Sequence, residues 1–183
     1  MTSEIVQLSE KLKSRVDTKL ILLEYPEPNV VEIVPSGPDT FKISVGIHDE
    51  KWVVTSSFWC TVDCGSLENV YSLVCWLLTP YSRIVESWNG PQLLVTWIEW
   101  YTEEGWESTD HNYLVIPKDD SPLTGATEMV IRHQAVFLDS AFSTHFPGAK
   151  LDQAGYPIGT LLGRTCYKPS SDGWHPVGVP TAD

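Results

Sequence analysis

Residues 92–116, QLLVTWIEWYTEEGWESTDHNYLVI, decide the fold. Val, Ile, Thr, Trp and Tyr recur on both sides of Glu103-Glu104-Gly105. Such side chains suit the pleated, half-buried surface of a strand, and two runs of them around a short glycine-containing break predict a β-hairpin. A three-residue loop with Gly105 in the left-handed conformation is a favoured connection. It pairs Thr102 with Trp106, Tyr101 with Glu107, Glu99 with Thr109, Trp97 with His111 and Val95 with Tyr113. Residues two apart share a face, so Trp97, Glu99, Tyr101, Glu107 and His111 are expected together. A two-residue loop would shift this register and separate Trp97 from His111.

Working outward, Ser82 to Trp88 is a further strand, joined to the hairpin through the turn signal Asn89-Gly90-Pro91. Before it, Ser66 to Leu78 has the spacing of a helix. Leu67, Val70, Tyr71, Val74, Leu77 and Leu78 make a wide apolar stripe, Ser66 can cap the start, and Thr79-Pro80 stops it. So apolar a helix must lie on the concave side of a sheet; Cys75 and Trp76 lie within it, and a thiol in that setting is a small core group. Upstream of that helix, Lys19 to Tyr25, Asn29 to Val34, Phe41 to Gly46 and Lys51 to Phe58 read as short strands broken by Pro26, Pro28, Pro35 and Pro38. Their short connections favour antiparallel pairing. The unbroken Leu20, Ile21, Leu22, Leu23 run predicts a first strand covered on both faces. Residues 3 to 16 form an amphipathic helix, with Ile5, Leu8 and Leu12 on one side and Ser3 as the N-cap.

Beyond the hairpin, Thr127 to Leu138 is one more strand. From Pro147 onward the composition changes, with five prolines and six glycines in 37 residues. The expectation is therefore one α+β domain over 1–146: a single curved, mainly antiparallel sheet of about six to eight strands, with the 66–78 helix buried on it and the N-terminal helix beside it. Residues 147–183 are expected to wrap the domain or to be partly flexible.

Charge and composition exclude several classes of function. With 24 acidic and 12 basic residues the chain carries a formal charge of −12, the wrong sign for nucleic acid. No apolar run approaches the roughly 20 residues needed to span a bilayer. The N-terminal stretch has no apolar secretory core. Four unevenly spaced cysteines point to reduced thiols and a cytoplasmic setting. Cys60 and Cys64 are one isolated pair, too few for a local zinc site. His133, Asp139 and His145 could supply two imidazoles and a carboxylate, but His133 shares its strand face with Met129, Ile131, Ala135 and Phe137 and fits a core histidine better. Phosphate-loop, dinucleotide and nucleophile-elbow motifs are all missing, so neither a cofactor nor a metal is expected.

Two functions remain. Between Arg83 and Lys118 there is no Lys or Arg, whereas Glu86, Glu99, Glu103, Glu104, Glu107 and Asp110 all occur. Glu99, Trp100, Tyr101, Glu103, Glu104, Trp106, Glu107 and Asp110 together have the composition of a protein-binding patch, aromatic anchors within an acidic rim that steers a basic partner. A stoichiometric inhibitor or immunity-type protein would fit this profile. The alternative is a small-molecule-binding protein or enzyme, with an aromatic pocket and Glu99, His111 and His133 as acid–base groups.

Overall fold

The computed structural model describes residues 1–37, 40–56, 59–62, 64–108, 112–113, 123–139 and 142–177, with backbone alone at 59–62, 112–113 and 143. The N-terminal helix α1 (Ser3–Arg15) buries Ile5, Leu8 and Leu12, as their spacing requires. Its N-cap is Thr2, one residue earlier than expected. Five strands follow: β1 (Ile21–Glu27), β2 (Val30–Pro35), β3 (Ile43–His48), β4 (Lys51–Ser56) and β5 (Trp59–Val62). They pair in that order as an antiparallel meander. Leu23, Ile33 and Ile43 stand in one cross-strand row and Val31, Val45 and Val54 in the next, so this face is a continuous β-branched and leucine surface.

The opposite face is wet. Glu32 takes a 2.8 Å hydrogen bond from Lys42 there, and Leu22 is 56% exposed. The expectation that the first strand is covered on both faces is thus corrected: only Ile21 and Leu23 point to the core, and the intervening leucine does not. Pro26 is accommodated at the irregularity between Glu24 and Glu27, on an edge strand where a missing ladder N–H costs least.

Helix α2 (Leu67–Leu77) forms where its stripe predicts. Ser66 caps it by accepting from the Asn69 N–H at 3.3 Å. Its C-terminus has no glycine cap, so its last carbonyls need partners from elsewhere. Ser82 Oγ and Thr79 Oγ1 donate to the Trp76 carbonyl at 2.7 and 2.8 Å, and the Val136 N–H donates to Leu78 at 2.8 Å. Gln134, only 1% exposed, donates to the Leu77 carbonyl at 2.8 Å while its Oε1 accepts the Phe41 N–H at 3.0 Å. One side chain thereby ties the end of α2 to the chain entering β3.

The remaining strands are β6 (Ser82–Asn89), β7 (Gln92–Thr102), β8 (Gly105–Ser108), β9 (Asn112–Tyr113), β10 (Glu128–His133), β11 (Gly163–Ser170) and β12 (Gly173–Pro176), with the short helix α3 (Phe142–His145) after β10. They form a second antiparallel sheet in the order β12-β11-β10-β6-β7-β8, with β9 also on β7. The α+β class, the antiparallel pairing and the buried helix are as the sequence predicts. The strands, however, divide into two sheets rather than one. The reason lies in α2: Val70 and Val74 join one core cluster with Val45 and Val54 of the first sheet and Ile84 and Ile98 of the second. A stripe that wide is buried only by sheets on both sides. Residues 147–183, set apart by composition, contribute β11 and β12 to the second sheet. Among the described residues no helix is long and apolar enough to cross a membrane.

Replacing Gln134 by Leu keeps the volume but leaves the Phe41 N–H and the Leu77 carbonyl buried without a partner. A loss of about 2–4 kcal/mol is expected from two such groups, measured by urea denaturation. An unchanged unfolding midpoint would show that Gln134 does not link the two layers.

Candidate functional site

The β7–β8 turn has two residues, Glu103 and Glu104, and Thr102 pairs with Gly105, which sits at φ 113°. The expected three-residue loop is therefore corrected, and with it the register. Tyr101 faces Trp106, Trp100 faces Glu107 and Glu99 faces Ser108. Farther from the turn, Val95 faces Tyr113 as predicted, so the two halves of the hairpin are offset by one residue. A one-residue shift moves side chains to the other face of a strand. Trp106 thus joins Trp97, Glu99 and Tyr101, while Glu107 leaves them for the face of Trp100 and Thr102. Asp110 and His111 lie outside the described residues.

On the first face Arg83, from the middle strand β6, pairs across the sheet with Glu99 on one side and His133 on the other. Its Nε and Nη2 both reach Glu99 Oε2 at 2.6 Å, and Trp97 Nε1 donates to Oε1 at 3.1 Å. The Trp106 ring covers the guanidinium, with its centroid 4.0 Å from Arg83 Cζ, and meets the His133 ring edge-on at 5.3 Å. His133 Nε2 donates to the Pro80 carbonyl at 2.7 Å. Burial pushes its pKa down from 6.5 to about 4; the Pro80 contact opposes this and the Arg83 charge adds to it. Glu99 and His133, proposed from sequence as acid–base partners, are therefore each engaged separately, with Arg83 between them.

The charge count of this region changes accordingly. Glu99 is neutralised by Arg83, and the fully buried Glu86 accepts from Arg132 Nε at 2.6 Å and from Trp88 Nε1 at 3.2 Å. The expected run of uncompensated carboxylates reduces, among described residues, to Glu103, Glu104 and Glu107, all exposed around the turn. Trp106 is held over Arg83 and against Tyr101, 5.0 Å away, and is not a free anchor.

The other face opens a cleft of about 400 Å³. Leu73 and Trp76 of α2 line it together with Trp100, Thr102 and Glu107 of the hairpin and with Phe146; Tyr101 borders it between Trp100 and Thr102, while its ring packs on Trp106 on the first face. Trp76 meets Trp100 edge-on at 5.8 Å, and also Phe142 and Phe146 at 6.0 and 6.3 Å. Thr102 Oγ1 donates to Glu107 Oε1 at 2.9 Å, which orients the carboxylate at the rim. On the first face the Tyr101 hydroxyl donates to the Lys150 carbonyl at 2.8 Å.

Two smaller cavities share Trp76 as a wall. One, of about 260 Å³, is lined by Ser72, Cys75 and Tyr71 and edged by the Arg15–Asp139 ion pair of 2.9 Å. Burial pushes both the Cys75 thiol and the Tyr71 hydroxyl up, so this thiol is not an activated nucleophile. The other, of about 270 Å³, is lined by Asp139, Phe142, His145 and Phe146. Among the described residues no group of three or more His, Cys, Asp or Glu could hold a metal ion, and Asp139 and His133 are bonded to Arg15 and Pro80 respectively.

Sequence reasoning missed Leu73, Trp76 and Phe146 as wall residues. Leu73 and Trp76 are three apart on α2, which places them on one flank of the helix. Phe146 carries no local signal. No family model, curated protein or solved structure matches this chain.

The His133 environment has a consequence for stability. The folded protein keeps this imidazole neutral down to about pH 4, while the unfolded chain protonates it near 6.5. Between those values the unfolded state binds more protons. The contribution is thus fully present above pH 6.5 and is lost as pH falls toward 4, amounting to about 3 kcal/mol. His133→Gln retains a donor for Pro80 but does not titrate. Unfolding free energies measured across this window should fall less steeply for the variant; equal slopes would contradict a buried neutral His133.

Proposed function

We propose that the protein is a cytoplasmic binding module whose acidic turn and adjoining aromatic cleft engage a basic protein, in the manner of a stoichiometric inhibitor or immunity protein. One observation carries this: the exposed Glu107 lines a cleft with Trp76, Trp100 and Phe146, and Glu103 and Glu104 are exposed at the adjoining turn. Acidic rims raise association rates for basic partners, and aromatic pockets supply the short-range affinity. The net charge of −12 extends the same field over the molecule. The aromatic component differs in form from the sequence expectation. It is a concave cleft that receives a partner side chain, and not a set of protruding tryptophans.

A second reading, a small-molecule-binding protein or enzyme, draws support from one feature. Asp139 and His145 line the same aromatic cavity beside Trp76, a carboxylate and an imidazole in one chamber. The polar groups of that reading are these two, in place of Glu99 and His133.

The test of the binding reading uses the partner recovered from the native host by affinity capture and identified by mass spectrometry. With Glu103 and Glu104 both changed to Lys, the association rate at low salt should fall about tenfold, and the wild-type rate should fall steeply as salt rises. Both residues are exposed in a turn, so the melting temperature should not change. An association rate indifferent to charge reversal and to salt would contradict the proposal.

A further inference from the structure

We infer that the cleft beneath the turn recognises one arginine side chain of the basic partner, an inference that rests on the binding reading above. The walls supply the first argument. Trp76 and Trp100 meet at an interplanar angle of 72°, so their rings form a corner within the cleft. A planar guanidinium stacks on such faces, whereas a lysine ammonium is compact and strongly hydrated.

Charge supplies the second. Among the described residues Glu107 is the one carboxylate lining the cleft, and no Lys, Arg or His lines it. A neutral apolar side chain inserted here would strip water from the carboxylate and return nothing to it. A guanidinium gives it charge-assisted hydrogen bonds from a fixed fork of donors. Glu103 and Glu104, at the adjacent turn, favour the same sign of ligand.

The third argument is internal to the fold. On the opposite face of this hairpin Arg83 already occupies such a setting, its guanidinium 4.0 Å from the Trp106 centroid and 2.6 Å from the Glu99 carboxylate. The cleft repeats those components, an indole face beside a glutamate on the neighbouring strand, with Trp100 directly opposite Glu107.

The probe is N-acetyl-L-arginine amide, titrated into the full chain while the tryptophan indole N–H signals are followed by NMR. Saturable binding is expected with a Kd on the order of 1 mM, and with the largest shifts at Trp76 and Trp100. The citrulline analogue, equal in shape but uncharged, should bind about tenfold more weakly, as should the arginine amide to Glu107→Gln. The lysine amide should also bind more weakly than the arginine amide. Equal affinity for arginine and citrulline, unchanged affinity in Glu107→Gln, equal affinity for lysine, or shifts centred on Trp106 would each overturn the assignment. If the arginine probe fails while charge reversal at Glu103 and Glu104 still slows partner association, the pocket assignment falls and the binding reading survives. Failure of both removes the reading itself.

Discussion

The length of one turn determines what the second sheet presents to its surroundings. Because Glu103 and Glu104 alone connect β7 to β8, Trp106 falls opposite Tyr101 and Glu107 opposite Trp100. Every cross-strand relation near the tip follows from that pairing, since a strand alternates its faces with a period of two. One face acquires a closed arrangement, with Arg83 held by Glu99 and covered by Trp106. The other acquires a carboxylate at the rim of an aromatic cleft. Had the turn taken three residues, Glu107 would have joined Tyr101 and the cleft would have lost its charge.

Helix α2 converts this local register into a site. Its buried stripe is shared by both sheets, so the helix is fixed from two sides and its flank, Leu73 and Trp76, stands at a set distance from β7. The end of the helix is secured by groups distant in sequence. Gln134 lies 57 residues from Leu77 and 93 from Phe41, yet bonds to both. Such buried polar links are costly to leave unsatisfied, which makes them effective at specifying one arrangement of helix and sheets. Most of the cleft is therefore formed by α2 and the β7–β8 hairpin, with Phe146 added from the segment after α3, which suits recognition of a side chain with defined geometry.

What could be read from the sequence, and what could not, divides along physical lines. Periodic signals were legible: α2 from its apolar stripe, α1 from Ile5, Leu8 and Leu12, the antiparallel strands from their alternation and their proline breaks. His133 was legible as a core histidine from the company it keeps on β10. Long-range pairing was not. In sequence Glu86 and Glu99 have no visible counter-charge, because Arg132 comes from a strand 46 residues away and Arg83 stands at the border of the acidic region. The turn length was ambiguous at its source, since Glu-Glu-Gly allows Gly105 to lie either within the loop or at the first residue of the strand. Trp76 and Phe146 lie far apart in sequence and meet only in the folded chain.

The account stands on the hairpin register, and inter-strand nuclear Overhauser effects in labelled protein measure it directly. Backbone contacts from Trp100 to Glu107 and from Tyr101 to Trp106 are expected. Contacts from Trp100 to Ser108 and from Tyr101 to Glu107 would instead place Glu107 on the face of Arg83, and the acidic aromatic cleft would not exist.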